Sequence, residues 1–362
     1  MADLFDYLLW RGDLSFTQDP PNAVDALIFS ALSYIRFGAD VENSPEIPVA
    51  LSKAFEDLTS LPDFEDRIRV KKDLELLEAV AQSPRFSNCQ LYQYRDILIR
   101  EEETQFAAIT FLLEDASAFI AFRGTDYTIT GWKEDFNMSF QDTVPAQRLA
   151  LEYTLERASE LLIPLRLGGH SKGGNLAMFA AIHAPEIIRK RILGVYNHDG
   201  PGFREYVTDN PAYLEMVPRL HTYVPQSSVI GMLLEHEEPY TVVKSKQVGI
   251  LQHEFYSWEL RGPDFITMEQ TTWDSRFVDQ TIKNWLNDMT IAERDEIVDA
   301  IFDLLKAGES DNVFEILHPK NIRNYIRVLS KNGAMRQVMS EEFLGLLDAA
   351  RQTQQQFIEK RK

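Results

Sequence analysis

The feature that most constrains the fold of this chain is a glycine-flanked serine between an apolar run and an alanine-rich segment. Residues 161–167 are mostly aliphatic and predict a buried strand, whereas residues 175–183 predict a helix. Between them lies the spacing Gly169-x-Ser171-x-Gly173. A sharp turn from strand into helix brings the two backbones close together, so the positions two residues on either side of the serine must be small. The same turn pushes the serine hydroxyl out above the sheet.

This spacing is the nucleophile elbow of α/β-hydrolases, in the strand–turn–helix setting that the motif requires. The N-terminus of the helix also points free N–H groups and the positive end of its dipole at the reacting centre. A simpler interpretation is a tight turn in which Ser171 only caps the helix. The elbow predicts the α/β class, an α/β-hydrolase fold whose mostly parallel central sheet is flanked by helices.

Composition sets limits on partners and on cysteine chemistry. The chain has 362 residues, of which 44% are hydrophobic and 26% are charged, as in a globular protein with one large domain and a smaller addition. The net charge of −19 argues against nucleic acid and anionic membrane surfaces as main partners. The single cysteine, Cys89, excludes an internal disulfide and a multi-cysteine zinc site, and we expect it to pack as a small apolar residue.

Targeting signals are not evident in the sequence. The first residues are acidic and Pro20 and Pro21 follow soon after, which predicts no secretory signal. Apolar stretches stay shorter than the roughly 18 residues that a membrane-spanning helix needs. We therefore expect a cytoplasmic protein with no integral membrane segment.

The change in hydrophobic period along the chain predicts its organisation. We expect a hydrolase domain over residues 1–264, with added N-terminal helices at 22–82 and a sheet core at 90–260, followed by a helical C-terminal region over 265–362. Asn22 and Asp25 are suited to cap the first helix of the N-terminal group. Besides the strand before Ser171, the predicted strands are residues 91–99, 105–113, 118–122, 192–197, 219–224, 240–244 and 247–251.

Two short motifs give the chain a resemblance to a known family. The run FRGT at residues 122–125 ends a predicted strand, and WxxDF follows at residues 132–136. This strand end and loop resemble those of the class 3, fungal-type lipases, and the resemblance covers residues 90–260 and indicates a bacterial lipase-like family. It implies that Thr125 supplies oxyanion-hole donors and that the backbone N–H of Lys172 is the second donor. The alternative for Thr125 is a polar turn residue.

The candidate for the catalytic acid departs from that family. Class 3 lipases carry their aspartate in the loop after the strand 219–224, where this chain has Gln-Ser-Ser at residues 226–228. Asp199 follows the preceding strand, at the sheet edge expected for Ser171, and some hydrolases of this fold place the acid there. Asp199 is therefore the candidate acid, with a turn-forming role ahead of Gly200 as the open alternative.

The candidate base is His253, which follows the last predicted strand, where α/β-hydrolases keep their histidine. The chain order Ser171, Asp199, His253 matches the order for this fold. The imidazole would take the serine proton and return it to the leaving group, while the acid fixes its tautomer. We expect His170 to be a sheet-facing filler and His236, in an acidic loop, to lie at the surface. The rival histidines for the base are His198, His221 and His236.

These residues predict a serine hydrolase, esterase- or lipase-like, that forms an acyl-enzyme on Ser171. A small-molecule ester or a lipid is the expected substrate, and no cofactor or metal is implied. A catalytically degenerate scaffold that serves as a binding or regulatory protein is the main alternative, motivated by the missing acid at residues 226–228. A transferase that uses a non-water acceptor is a third hypothesis.

Overall fold

The structure is a computed structural model that describes residues 2–37, 41, 46–126, 128–308, 310, 316 and 321–359, with the backbone alone described at 205, 206 and 359. The chain divides into two compact units. The first comprises Met1–Leu98, Phe106–Gly124 and Pro145–Thr271. The second comprises Ile99–Gln105, Thr125–Val144 and Thr272–Lys362.

A large sheet organises the first unit. In chain order the strands are β1 (Val49–Ala50), β2 (Gln90–Ile99), β3 (Thr104–Leu112), β4 (Ala118–Phe122), β5 (Leu165–His170), β6 (Ile192–His198), β7 (Leu220–Pro225), β8 (Tyr240–Val243), β9 (Leu260–Arg261), β10 (Asp264–Phe265) and β11 (Thr267–Met268). Within the described residues, nine of them form one sheet in the order β1-β2-β3-β4-β5-β6-β7-β8-β11, and β9 pairs with β10. The five central strands β4 to β8 are parallel, whereas β1–β2, β3–β4 and β8–β11 are antiparallel pairs.

Helices cover both faces of this sheet. Those of the first unit are α1 (Leu4–Arg11), α2 (Ala23–Leu32), α3 (Leu51–Ser60), α4 (Lys71–Gln82), α6 (Pro145–Leu161), α7 (Lys172–His183), α8 (Glu186–Arg189), α9 (Glu205–Thr208) and α10 (Pro211–Met216). On β4, Phe119 packs against Phe29 of α2, with ring centroids 5.0 Å apart, while Phe122 packs against Tyr153 of α6 at 6.2 Å. Residues 119 and 122 lie an odd number of positions apart and point to opposite faces. The prediction of a mixed α/β protein with a mostly parallel, helix-flanked sheet is therefore confirmed.

The second unit is helical over most of its length. It contains α5 (Ile129–Asn137), α11 (Trp273–Asn287), α12 (Ile291–Leu305), α13 (Ile322–Lys331) and α14 (Gly333–Glu359). Phe140 packs with Val298 and Phe302 of α12 in a small buried cluster. Thr290 and Glu293 form a capping box at the start of α12.

The helix α2 is fixed in the core by aromatic packing and by its cap. The Phe29 ring lies 4.8 Å from that of Phe111 and 5.4 Å from that of Phe86. Asn22 Oδ1 accepts hydrogen bonds from the N–H groups of residues 24 and 25, so the predicted cap of this helix is confirmed. The predicted burial of Cys89 is confirmed as well.

A buried ion pair joins α2 to the segment after α4. Asp25 receives two hydrogen bonds from Arg85, at 2.9 Å from Nε and 2.5 Å from Nη2, and both side chains are fully buried. Tyr7 of α1 donates a third hydrogen bond to the same carboxylate at 2.8 Å. These bonds tie α1 and α2 to the chain that enters the sheet.

Several element predictions need correction. The segment 247–251 is not a strand: it leads into a 3-10 turn, Gly249–His253, because Gly249 adopts a φ of +54° and the neighbouring apolar side chains are exposed rather than buried. Strand β5 begins only at Leu165, because α6 extends to Leu161 and Leu162 follows with a φ of +47°. The helices α1 and α3 were not expected.

Among the described residues, no helix combines the length and the apolar character needed to cross a membrane. The longest described helix, α14, carries charged residues along its length.

Removing the buried carboxylate should destabilise the first unit strongly. We expect Asp25→Ala to lower the free energy of unfolding by about 3–5 kcal/mol, because the Arg85 guanidinium would be left buried without its partner. The measurement is urea denaturation followed by circular dichroism. Asp63→Ala is the matched control, because its ion pair with Arg67 is half exposed and should be worth under about 1 kcal/mol. Equal losses in the two variants would contradict this account.

Candidate active site

Ser171 occupies a strained turn between β5 and α7. Its φ of 57° and ψ of −134° lie in a region that residues other than glycine rarely adopt, at a cost of order 1–3 kcal/mol. The Ser171 N–H donates to the carbonyl of His198 on β6 at 2.9 Å, and Gly174 N–H donates to the carbonyl of Ser171 at 2.9 Å. The residue is 9% exposed. The turn that the spacing predicts is therefore present, with the serine at its apex.

The glycines of the motif are required by backbone contacts. A Cβ on Gly169 would lie 2.2 Å from the carbonyl carbon of Gly173, and one on Gly173 would lie 2.1 Å from the carbonyl oxygen of Phe122. Gly124, within the FRGT run, is similarly confined, since its Cβ would lie 2.5 Å from the carbonyl oxygen of His170. No larger residue fits at these positions without moving the turn.

Asp199 follows β6, the strand parallel and adjacent to β5. His170 is the register partner of His198, so Ser171 and Asp199 leave neighbouring strand ends at the same edge of the sheet. Asp199 is fully buried and has a φ of 54°. Its Oδ2 atom lies 2.7 Å from Nδ1 of His253. The structure thus brings together the predicted acid and the predicted base.

A carboxylate oxygen accepts hydrogen bonds, so the contact with Asp199 favours the His253 tautomer that carries its hydrogen on Nδ1 and has Nε2 as an acceptor. The His253 side chain is 26% exposed, so one side of the ring reaches solvent. The ring also contacts that of His170, the residue before Ser171, with centroids 4.4 Å apart and the two planes tilted by 37°. The imidazole therefore lies beside the serine turn.

The loop after β7 donates hydrogen bonds to Asp199 and contains no aspartate of its own. Ser228 Oγ donates to Asp199 Oδ1 at 2.5 Å, and Gly231 N–H donates to the same oxygen at 3.2 Å. The Ser227 N–H donates to Oε1 of Gln252, just before His253, at 2.8 Å. The sequence pattern showed only that this loop lacks an aspartate, and it gave no sign of the contact between Ser228 and Asp199 or of that between Ser227 and Gln252.

The predicted oxyanion-hole residues fall in different units. Lys172, in the first unit, is the first residue of α7 and is buried. Thr125 belongs to the second unit, where its hydroxyl donates to Oδ2 of Asp135 at 2.5 Å. Their roles as donors stay predictions.

The rival histidines have other partners. His198 is fully buried with Nδ1 3.3 Å from the carbonyl of Gly169, and burial lowers its pKa to about 3. The prediction that His236 lies at the surface is wrong. Its side chain is 5% exposed and its Nδ1 lies 2.9 Å from Glu238. Glu238 turns inward because Tyr213 and Thr222 also donate hydrogen bonds to its carboxylate.

Comparison with known proteins identifies the family. Residues 80–303 match the Mbeg1-like family, which is more than half of the chain. The chain belongs to the Mbeg1-like family. Within this Mbeg1-like segment lie Ser171, Asp199 and His253, and also Thr125 and Lys172.

Other comparisons are more distant. One solved structure that resembles this Mbeg1-like chain is the native Rhizomucor miehei lipase propeptide complex, with 12% identity and a TM-score of 0.41. The alignment covers 65% of this chain and 80% of the other. No curated protein matches the sequence.

The glycine contacts lead to a stability prediction. Gly173→Ala should lower the free energy of unfolding by about 1–3 kcal/mol or more, because the new methyl group meets a backbone carbonyl that cannot move aside. Thermal unfolding measures the loss. Gly333→Ala is the control, because a Cβ added at Gly333 would meet no atom within 4 Å. This substitution should leave the free energy of unfolding unchanged or slightly raised. A fully stable Gly173→Ala protein would show that the turn is looser than described.

Proposed function

We propose that this Mbeg1-like protein is a lipase-like serine hydrolase of carboxylic esters. In this proposal Ser171 is the nucleophile, His253 is the general base, and Asp199 is the carboxylate that orients and stabilises the His253 ring. The observation that carries the proposal is the 2.7 Å contact between His253 Nδ1 and Asp199 Oδ2, beside a serine on a strained strand-to-helix turn. Unrelated hydrolases share this arrangement of roles, which is recognised by geometry rather than by position in the chain.

The architecture supports an α/β-hydrolase fold as part of this proposal. The serine turn follows a central parallel strand, β5, and leads directly into a buried helix, α7. The acid follows the adjacent parallel strand and the histidine comes later in the chain, which is the order typical of this fold. Membership of the Mbeg1-like family also suggests a lipase-like hydrolase.

The geometry supports acyl transfer in two halves. As Ser171 Oγ attacks the ester carbonyl carbon, its proton passes to Nε2 of His253, and the carbonyl oxygen becomes negative. Collapse of this intermediate breaks the bond to the alcohol oxygen, which takes the proton from Nε2. Water then repeats the sequence on the acyl-serine, releasing the acid and restoring both side chains. Asp199 stabilises the imidazolium that forms in each half.

The negative carbonyl oxygen needs hydrogen-bond donors, and we propose the N–H of Lys172 as one of them. The N–H of Lys172 lies at the start of α7, where the helix dipole favours negative charge. Each such donor is worth about 3–4 kcal/mol of transition-state stabilisation in enzymes that use one.

An ester with an apolar acyl group suits the surroundings of the base. The 3-10 turn that leads to His253 follows Val248 and carries Ile250 and Leu251, which are 74%, 60% and 59% exposed. Apolar side chains exposed beside a reactive group favour contact with hydrocarbon rather than with charged substrate. Either a soluble ester or a lipid meets this description.

Active-site labelling tests the nucleophile. A fluorophosphonate probe should label the wild-type protein at a single site and should not label Ser171→Ala, because only a serine activated by a base attacks phosphorus readily. Mass spectrometry locates the label. Ser159→Ala, which alters an exposed serine on α6, should label like the wild type. Folded wild-type protein that takes no label would favour the catalytically degenerate scaffold.

Substitution of the acid tests the rest of the proposal. Asp199→Asn should lower kcat for a p-nitrophenyl ester by about 10³–10⁴, because an amide stabilises the wrong tautomer of His253. Ser228→Ala should cost roughly tenfold, since one hydrogen bond to the acid is lost. Asp63→Asn, on the surface, is the control. Unchanged turnover in Asp199→Asn would remove Asp199 from the mechanism.

A further inference from the structure

The ring of His170 is held between an N-terminal tyrosine and the segment that carries the base. His170 Nε2 lies 2.8 Å from the backbone carbonyl oxygen of His253, and His170 Nδ1 lies 2.9 Å from the hydroxyl of Tyr34. Both side chains are buried. We propose that His170, oriented by Tyr34, is a positioning residue that holds the backbone of His253 in place for catalysis, an inference that rests on the proposed hydrolase function.

The partners of His170 determine its tautomer. A carbonyl oxygen only accepts hydrogen bonds, so Nε2 must carry the hydrogen that bonds to His253. Burial holds the pKa of His170 well below its usual value, so the ring is neutral and Nδ1 is an acceptor. Burial also raises the pKa of Tyr34, which keeps its hydroxyl as a donor. The Tyr34 hydroxyl therefore donates to His170 Nδ1, and His170 Nε2 donates to the carbonyl oxygen of His253.

A second tie holds the residue after the base. The Arg69 guanidinium lies 4.6 Å from the centre of the Tyr34 ring and donates to the Glu254 carboxylate at 3.2 Å. Arg69 also pairs with Asp73, which receives a hydrogen bond from Tyr256 at 2.8 Å. Positions 253, 254 and 256 are thus each bonded to residues of the interior.

Space for this contact is reserved by a glycine. A Cβ on Gly124 would lie 2.1 Å from the Tyr34 hydroxyl and 2.5 Å from the carbonyl oxygen of His170. Because Gly124 has no side chain, the serine turn and the Tyr34 hydroxyl that supports His170 can both lie against its backbone.

The need for such support follows from where the base lies. His253 ends a 3-10 turn of five residues rather than a strand or a long helix, and catalytic groups must be held within a fraction of an ångström. A displacement of about 1 Å can cost 100-fold in rate. The residues that supply the support, Tyr34, Arg69 and Asp73, precede the segment 80–303 that matches the family. Residues N-terminal to the matched segment therefore complete the site.

Kinetics of the full-length protein with a p-nitrophenyl ester tests this inference. We expect Tyr34→Phe to lower kcat about tenfold and His170→Leu about 100-fold, with KM changed less than about twofold, since the ester itself touches neither residue. His170→Gln retains an amide N–H for the His253 carbonyl and should recover at least tenfold relative to His170→Leu. In the wild type, ¹⁵N NMR should show His170 protonated on Nε2 alone.

The control is Tyr153→Phe, which removes a hydroxyl that is equally buried and bonded, to Thr110 and to the carbonyl of Gln93. It should lower the Tm about as much as Tyr34→Phe and leave kcat unchanged. If the wild type is active and the folded Tyr34→Phe and His170→Leu variants keep its kcat, this inference is wrong while the proposed function stands. Protonation of His170 on Nδ1 would contradict the inference in the same way. A wild type that neither hydrolyses esters nor takes the probe would remove the proposed function, and this inference with it.

Discussion

The contact between the start of α7 and the end of β4 is the constraint on which the candidate site depends. Gly173 lies so close to the carbonyl of Phe122 that no side chain fits between them. The turn at Ser171 then has to be sharp, and its backbone strain of order 1–3 kcal/mol is a sizeable share of a net stability of about 5–15 kcal/mol. Because α7 is buried almost throughout, the helix cannot shift to relieve the strain, and the serine stays at the sheet edge.

The position of Asp199 illustrates how a carboxylate can be placed after either of two neighbouring strands at one edge of a parallel sheet. The sequence motifs that resemble class 3 lipases lead one to expect the acid in the loop after β7. Here the loop after β7 contributes Ser228 and Gly231, which bond to Asp199 after β6. Adjacent parallel strands end about 5 Å apart, so a carboxylate on either one lies near the same histidine. The loop that lacks the acid still controls its orientation.

The features that could be predicted from the sequence are those that local patterns encode. The Ser171 turn follows from glycine spacing, and the position of Asp199 follows from a strand end. The bond from Ser228 to Asp199 and that from Tyr34 to His170 join residues 29 and 136 positions apart, and no periodicity links them. Local composition also gives a wrong expectation of burial at His236. The neighbouring run of glutamates predicts a surface loop, but Glu238 points into the interior and pairs there with His236.

The N-terminal helices connect the stability of the core with the geometry of the site. Ile250 and Leu251 are exposed, so the turn that ends at His253 receives little packing on its outer side. Restraint must come from within, and Tyr34 supplies it from the chain just after α2. That helix is itself held by the packing of Phe29 against Phe86 and Phe111. The buried ion pair of Asp25 and Arg85 holds it as well. A change that loosens α2 should therefore displace the candidate base His253 through Tyr34 and His170.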